Sequence, residues 1–142
     1  MQEFTKVRHF RDLIVWQRSM QLSVAVYELT RCFPREELYG LSSQMRRAAV
    51  SVLSNIAEGH GRSTRVQLAH FVSIARGSNY ELEAQILLTY ELAYGDEERR
   101  QRCQSLCSEV GRMLHSMMKK LETPAPEAAT PPTGFAGLEP GT

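Results

Sequence analysis

Between residues 10 and 122 the helical spacing of apolar residues is broken in only three places, which confines the chain to four helices. Phe33-Pro34 is the first break, because a residue before proline is pushed out of the α region. Gly59 and Gly61, bracketing His60, are the second. Tyr94-Gly95 is the third, a glycine stop. No period-two run is long enough for a strand, and no repeat recurs at solenoid periods. Helices over about 10–32, 42–59, 64–94 and 96–122, joined by short loops, predict an all-α fold: an up-down-up-down antiparallel four-helix bundle.

Each segment carries its own signals. Leu13, Trp16, Met20, Val24 and Tyr27 form one apolar stripe on the first helix. Val15, Leu22, Val26 and Leu29 form a second, nearly opposite at 100° per residue. A helix apolar on two sides needs two partners. The first stripe is assigned to the bundle core and the second to a subunit interface. Ser42 or Ser43 is suited to cap the second helix, whose core stripe is Leu41, Met45, Ala49, Val52 and Ile56. Thr64 with Gln67 makes a capping-box arrangement for the third. Gly77, inside that helix, predicts a close backbone approach as compensation for its cost of about 1 kcal/mol. Asp96 caps the fourth, with Glu97 and Glu98 in its first turn and Lys119 and Lys120 in its last, matching the helix dipole.

The segment outside the bundle reads differently. Residues 1–9 are expected to be a loose leader, without the apolar run of a signal peptide. Residues 123–142 hold five of the six prolines and are expected to be a disordered tail. No stretch approaches the roughly 20 apolar residues of a membrane span, so a cytoplasmic location is expected. Three cysteines without a Cys-x-x-Cys pair fit no disulfide framework.

Charge narrows the partners. Residues 1–122 hold seventeen basic and fourteen acidic side chains, a net +3, too little for a strongly basic nucleic-acid binder. Residues 42–76 hold five arginines and one acid, Glu58. Arg46, Arg47, Arg62, Arg65 and Arg76, with His60, are therefore the candidate phosphate contacts, since guanidinium forks suit phosphate oxygens. A second row, Gln44, Ser51, Asn55 and Glu58, reads with Glu81 and Gln85 as an interhelical polar network, with Arg47 pairing Glu58 or Glu81.

Catalytic chemistry finds no foothold. A di-metal bundle needs Glu-x-x-His pairs, and none of the four histidines has a glutamate three residues before it. Cys107 and His115 lie about two turns apart, too far for a nucleophile–base pair. No phosphate-binding glycine motif occurs. No cofactor, metal or small-molecule substrate is expected.

The segments FRDLIVWQ, YGLSSQMRRAAVSVLSNIAEGHGR and FVSIARGSNYELEAQ resemble the four-helix-bundle proteins encoded in intervening sequences of bacterial 23S rRNA genes. The resemblance spans roughly residues 10–121. It implies a bacterial bundle assembling into a ring-like oligomer, most expectedly a homopentamer. A distant branch, the accessory proteins of diversity-generating retroelements, is strongly basic and binds nucleic acid and a reverse transcriptase; the +3 of this chain departs from it. The expected function is a non-enzymatic oligomeric bundle, associated with RNA or DNA or acting as a scaffold through its arginines. The alternative is a protein–protein adaptor whose arginines are structural.

Overall fold

Leu13 is where the first helix finds its start. In the computed structural model, which describes residues 7–123, Leu13 is extended (φ −78°, ψ 128°) and drives its side chain into the core. The helix expected from residue 10 therefore divides into a 3-10 turn, Phe10–Asp12, and helix α1, Ile14–Thr30. His9 Nδ1 caps the turn by accepting from Arg11 N at 3.1 Å. Residues 7–9, expected to be loose, are anchored: Val7 packs against the core, and its carbonyl lies 2.7 Å from His60 Nε2. Most of the predicted leader and tail lies outside the described residues.

Helix α2 (Leu41–His60), α3 (Arg65–Leu92) and α4 (Glu97–Glu122) complete the bundle, and among the described residues there is no strand. Each helix packs on its neighbours in sequence, and α4 closes the ring on α1. Thr64 caps α3 by accepting from Gln67 N at 3.1 Å, and Asp96 caps α4 by accepting from Arg99 N at 3.2 Å. Neither Ser42 nor Ser43 caps α2. Glu37, in the 3-10 turn Arg35–Glu37, does so: its Oε1 accepts from Leu41 N at 3.0 Å. Its Oε2 accepts from Tyr94 OH at 3.0 Å, and that bond pushes the phenol pKa up. One carboxylate thus ties the start of α2 to the end of α3.

The glycines follow contact more than flexibility. Gly59 lies within α2, not at a break, because a Cβ there would sit 3.0 Å from Phe71 Cβ and 3.2 Å from Leu68 Cδ1. The α2–α3 crossing depends on that missing atom. Gly77 shows the opposite: nothing lies within 4 Å of its Cβ position, so the close approach expected there is not made within the chain.

The core joins Leu22, Val26 and Leu29 to Met45, Val52 and Ile56, to Leu82 and Ile86, and to Val110 and Leu114, all at most 1% exposed. The assignment of α1 is thereby reversed over most of its length. Val15, Leu22, Val26 and Leu29, assigned to a subunit interface, are buried inside the chain, and Met20, Val24 and Tyr27, assigned to the core, are exposed, while Leu13 is buried and Trp16 packs against the core as expected. The physical reason lies in three hydroxyls. Ser19, Ser23 and Thr30 share the buried side, each donating to a helix carbonyl (Val15 O, Ala49 O and Val26 O) at 2.8, 3.2 and 2.8 Å. Their polarity is satisfied by helix carbonyls, two on α1 itself and one on α2, so they bury as small residues and let α1 approach closely.

Candidate functional site

The six residues expected to contact phosphate do not form one surface. Arg46 turns toward α1, where its Nε donates to Thr30 Oγ1 at 2.8 Å and its guanidinium lies 4.8 Å from the Tyr27 ring centre. Fourteen residues along the same helix, about 21 Å at 1.5 Å per residue, His60 is held by Val7 O. Arg62 pairs with Glu58 at 3.4 Å and covers the Phe71 ring. Arg65 donates to Lys120 O at 2.8 Å and Thr123 O at 3.0 Å, tying down the end of α4. Arg76 faces α4, on the side of the bundle opposite Arg46. Arg47 is exposed and makes no ion pair with another described residue.

The expected polar network also divides. Ser51 Oγ and Ser78 Oγ are 2.7 Å apart, and Asn55 Nδ2 donates to Ser51 O at 2.8 Å and Oγ at 3.1 Å. Gln85 Nε2 donates to Glu81 Oε2 at 3.3 Å, a separate contact within α3. Gln44 and Arg47 line a polar cavity with Ser51, Ser78 and Glu81, yet Arg47 bonds neither Glu81 nor Glu58. Glu58 is taken by Arg62, which sits one turn away on the same stretch.

What the fold does assemble is a cleft between α3 and α4. Arg76, Tyr80 and Glu83 line it from α3; Arg112, His115 and Ser116 line it from α4. Its floor is Asn79, which donates to Cys107 O at 3.1 Å, with Cys107 Sγ 3.4 Å from Asn79 Oδ1. Gly111 lets this floor reach the α4 backbone, since a Cβ there would be 3.1 Å from Asn79 Nδ2. Arg76 Nη2 stands 3.1 Å from His115 Nδ1. Lys119 follows His115 by four residues and Arg112 by seven, so it continues the same face, and Lys120 follows Ser116 by four. Arg65, Arg76, Arg112, Lys119 and Lys120 stand against Glu83 and Glu122, five cations to two acids, a local +3 before His115.

Of this face only Arg65 and Arg76 were among the candidates from sequence. The α4 contribution was legible in principle. Reflecting the α3–α4 hairpin about Gly95 brings Tyr90 to Arg100, whose guanidinium lies 5.1 Å from the Tyr90 ring centre, Asn79 to Gly111, and Arg76 to Leu114, next to its partner His115. Counting charge within a linear window separates residues that an antiparallel pair brings together.

The cleft holds no reactive thiol. Burial pushes Cys103 and Cys107 up to about 12, so their neutral form is favoured and persists until pH rises through that value. Cys32 is exposed. Alkylation of the folded chain at pH 8, counted by intact mass, is expected to add one adduct, at Cys32, and three only after unfolding. Two adducts on the folded chain would show that the α3–α4 floor opens. Among the described residues no group of three or more His, Cys, Asp or Glu could hold a metal ion, and no helix is long and apolar enough to cross a membrane.

A protein family described as 23S rRNA-intervening sequence protein matches residues 11–116. The fold is similar to the crystal structure of a protein of unknown function from the S23 ribosomal protein family of Bacteroides thetaiotaomicron, with a TM-score of 0.67 at 21% identity. The match covers 75% of this chain and 99% of that one. Among curated proteins none matches.

Proposed function

The chain belongs to the 23S rRNA-intervening sequence protein family, and from that premise we propose a non-catalytic, self-assembling bundle that associates with RNA along its α3–α4 face. The observation that carries this reading is the convergence of Arg65, Arg76, Arg112, Lys119 and Lys120 on one side of the bundle, with only Glu83 and Glu122 opposing them. Arg46 and Arg62, the other arginines of the central segment with partners, are engaged with Thr30 and Glu58, and so contribute less. A ring of copies, most simply a homopentamer, would repeat the face and turn a modest local charge into a multivalent one. The exposed Met20, Val24, Tyr27 and Val50 offer apolar surface for such assembly.

Titration of a single-stranded RNA at several salt concentrations tests the reading. Affinity is expected to fall as salt rises, and Lys119→Gln with Lys120→Gln should lower the log–log slope by about 1.4 per bound copy, at about 0.7 per phosphate contact. Arg46→Gln should leave the slope unchanged. No binding at low salt, or equal slopes in all three proteins, overturns it. Light scattering at a mass of 16.1 kDa would remove the assembly part.

One observation favours a second reading, the adaptor. Met20, Val24, Tyr27, Val50 and Leu53 line an apolar groove between α1 and α2 that suits a protein partner. Capture of one defined partner that is lost on Val24→Asp, with no RNA bound, would select it.

A further inference from the structure

A guanidinium can only donate, so at the 3.1 Å contact between Arg76 Nη2 and His115 Nδ1 the imidazole nitrogen accepts. No carboxylate joins this contact: of the cleft's lining residues only Glu83 is acidic, and it lies seven residues beyond Arg76, about 10 Å along the helix. Arg76 Nε is shut off from solvent and has no partner among the described residues. A buried guanidinium nitrogen without an acceptor is costly, and a shift of Arg76 toward an acceptor bound in the cleft would remove the cost. Arg112 lines the same cleft from the adjacent turn of α4. Tyr80 stands beside Arg76, with the guanidinium 5.7 Å from its ring centre, and is 58% exposed, which leaves its ring free to receive another planar group. The cleft encloses about 470 Å³, within the roughly 300–1,000 Å³ of sites that hold small organic molecules.

We infer that the α3–α4 cleft binds a nucleoside phosphomonoester, its phosphate between Arg76, Arg112 and His115 and its base against Tyr80. The inference deepens the proposed function and rests on its basic face. Two cations lining one cleft match the charge of a terminal phosphate, whereas a diester backbone asks for a track. The phosphate takes hydrogen bonds from both arginines, and His115, which accepts from Arg76 at Nδ1, keeps its Nε2–H to donate to the anion. Base stacking on an exposed aromatic ring is how single-stranded ends are held. A free nucleotide and a 5′-phosphorylated RNA end offer the same chemistry.

The test uses the full chain with AMP and adenosine, and with a twelve-nucleotide single-stranded RNA bearing either a 5′-phosphate or a 5′-hydroxyl. AMP is expected to shift the His115 ring resonances saturably, while adenosine leaves them in place. Arg76→Gln and Arg112→Gln should each weaken AMP about tenfold, the size of one lost charge-assisted contact. Arg112 is exposed and Arg76 half-buried, and circular dichroism with an unchanged melting midpoint verifies that the variants fold. The 5′-phosphorylated RNA should bind about tenfold tighter than its 5′-hydroxyl form. If AMP leaves His115 unshifted, or binds both variants as it binds the parent, the inference is overturned. Salt-dependent binding of both RNAs with equal affinity, with His115 unshifted by AMP, overturns it while leaving the basic face intact. AMP bound through Arg76 with no RNA bound supports the cleft as a free-nucleotide site and refutes the RNA reading alone.

Discussion

Leu22→Ala is expected to lower the unfolding free energy by about 2–5 kcal/mol, the range for a fully buried leucine, while Val24→Ala changes it by no more than about 0.5 kcal/mol. The two residues are separated by one position on α1, yet Leu22 is 0% exposed and Val24 is 51% exposed. Periodicity alone gives both equal standing as core. Packing separates them: Leu22 lies on the side that also buries Ser19, Ser23 and Ala25 against its neighbouring helices. Urea denaturation at several protein concentrations makes the measurement. The Leu22→Ala loss should be independent of concentration, because it is a cavity inside one chain. Any loss at Val24 should grow with concentration, because a residue buried only between copies contributes by mass action. Equal, concentration-independent losses at both positions would refute the assignment of the α1 faces.

That contrast shows where the sequence was readable. On α2 a single stripe, Leu41, Met45, Ala49, Val52 and Ile56, runs beside the polar row Gln44, Arg47, Ser51, Asn55 and Glu58, and its last four members are fully buried while Leu41 is half-buried. Thr64 and Asp96 act as caps because their hydroxyl and carboxylate reach backbone donors three residues on, a purely local geometry. On α1, two apolar stripes competed, and the deciding feature was a set of hydroxyls whose local bonding cannot be inferred from polarity. Glu37 was missed as the cap of α2 because it lies four residues before the amide it accepts from, across a turn whose shape only the fold supplies. The candidate site failed for the same kind of reason. Arg46 and Arg76 are both cationic and both near the middle of the sequence, but their roles depend on what faces them, Thr30 and Tyr27 for one and His115 for the other.

The α3–α4 joint governs that last pairing, and a substitution there should be among the most damaging single changes. Gly95 has φ +73°, where an alanine costs about 1–2 kcal/mol. A Cβ at Gly95 would also overlap Leu29 Cδ1, and Leu29, 0% exposed, has no room to retreat, adding the roughly 1–3 kcal/mol of an overpacked core. Gly95→Ala should therefore destabilise by about 2–5 kcal/mol. Two residues earlier, Ala93 closes α3 in the left-handed region (φ 55°), with Tyr94 N donating to Thr89 O at 3.0 Å. Glycine suits that position better, so Ala93→Gly should stabilise by about 1 kcal/mol. Thermal unfolding of the two variants beside the parent reads both signs. A Gly95→Ala midpoint equal to the parent, or an Ala93→Gly midpoint below it, would sink this account of the joint. The same joint sets the register that brings Arg76 to His115. Arg100 reinforces it by donating to Tyr94 O at 2.8 Å and Gly95 O at 2.6 Å. A Gly95→Ala chain that still folds should consequently lose the Arg76–His115 contact before it loses helix content, which His115 resonances followed against circular dichroism would resolve.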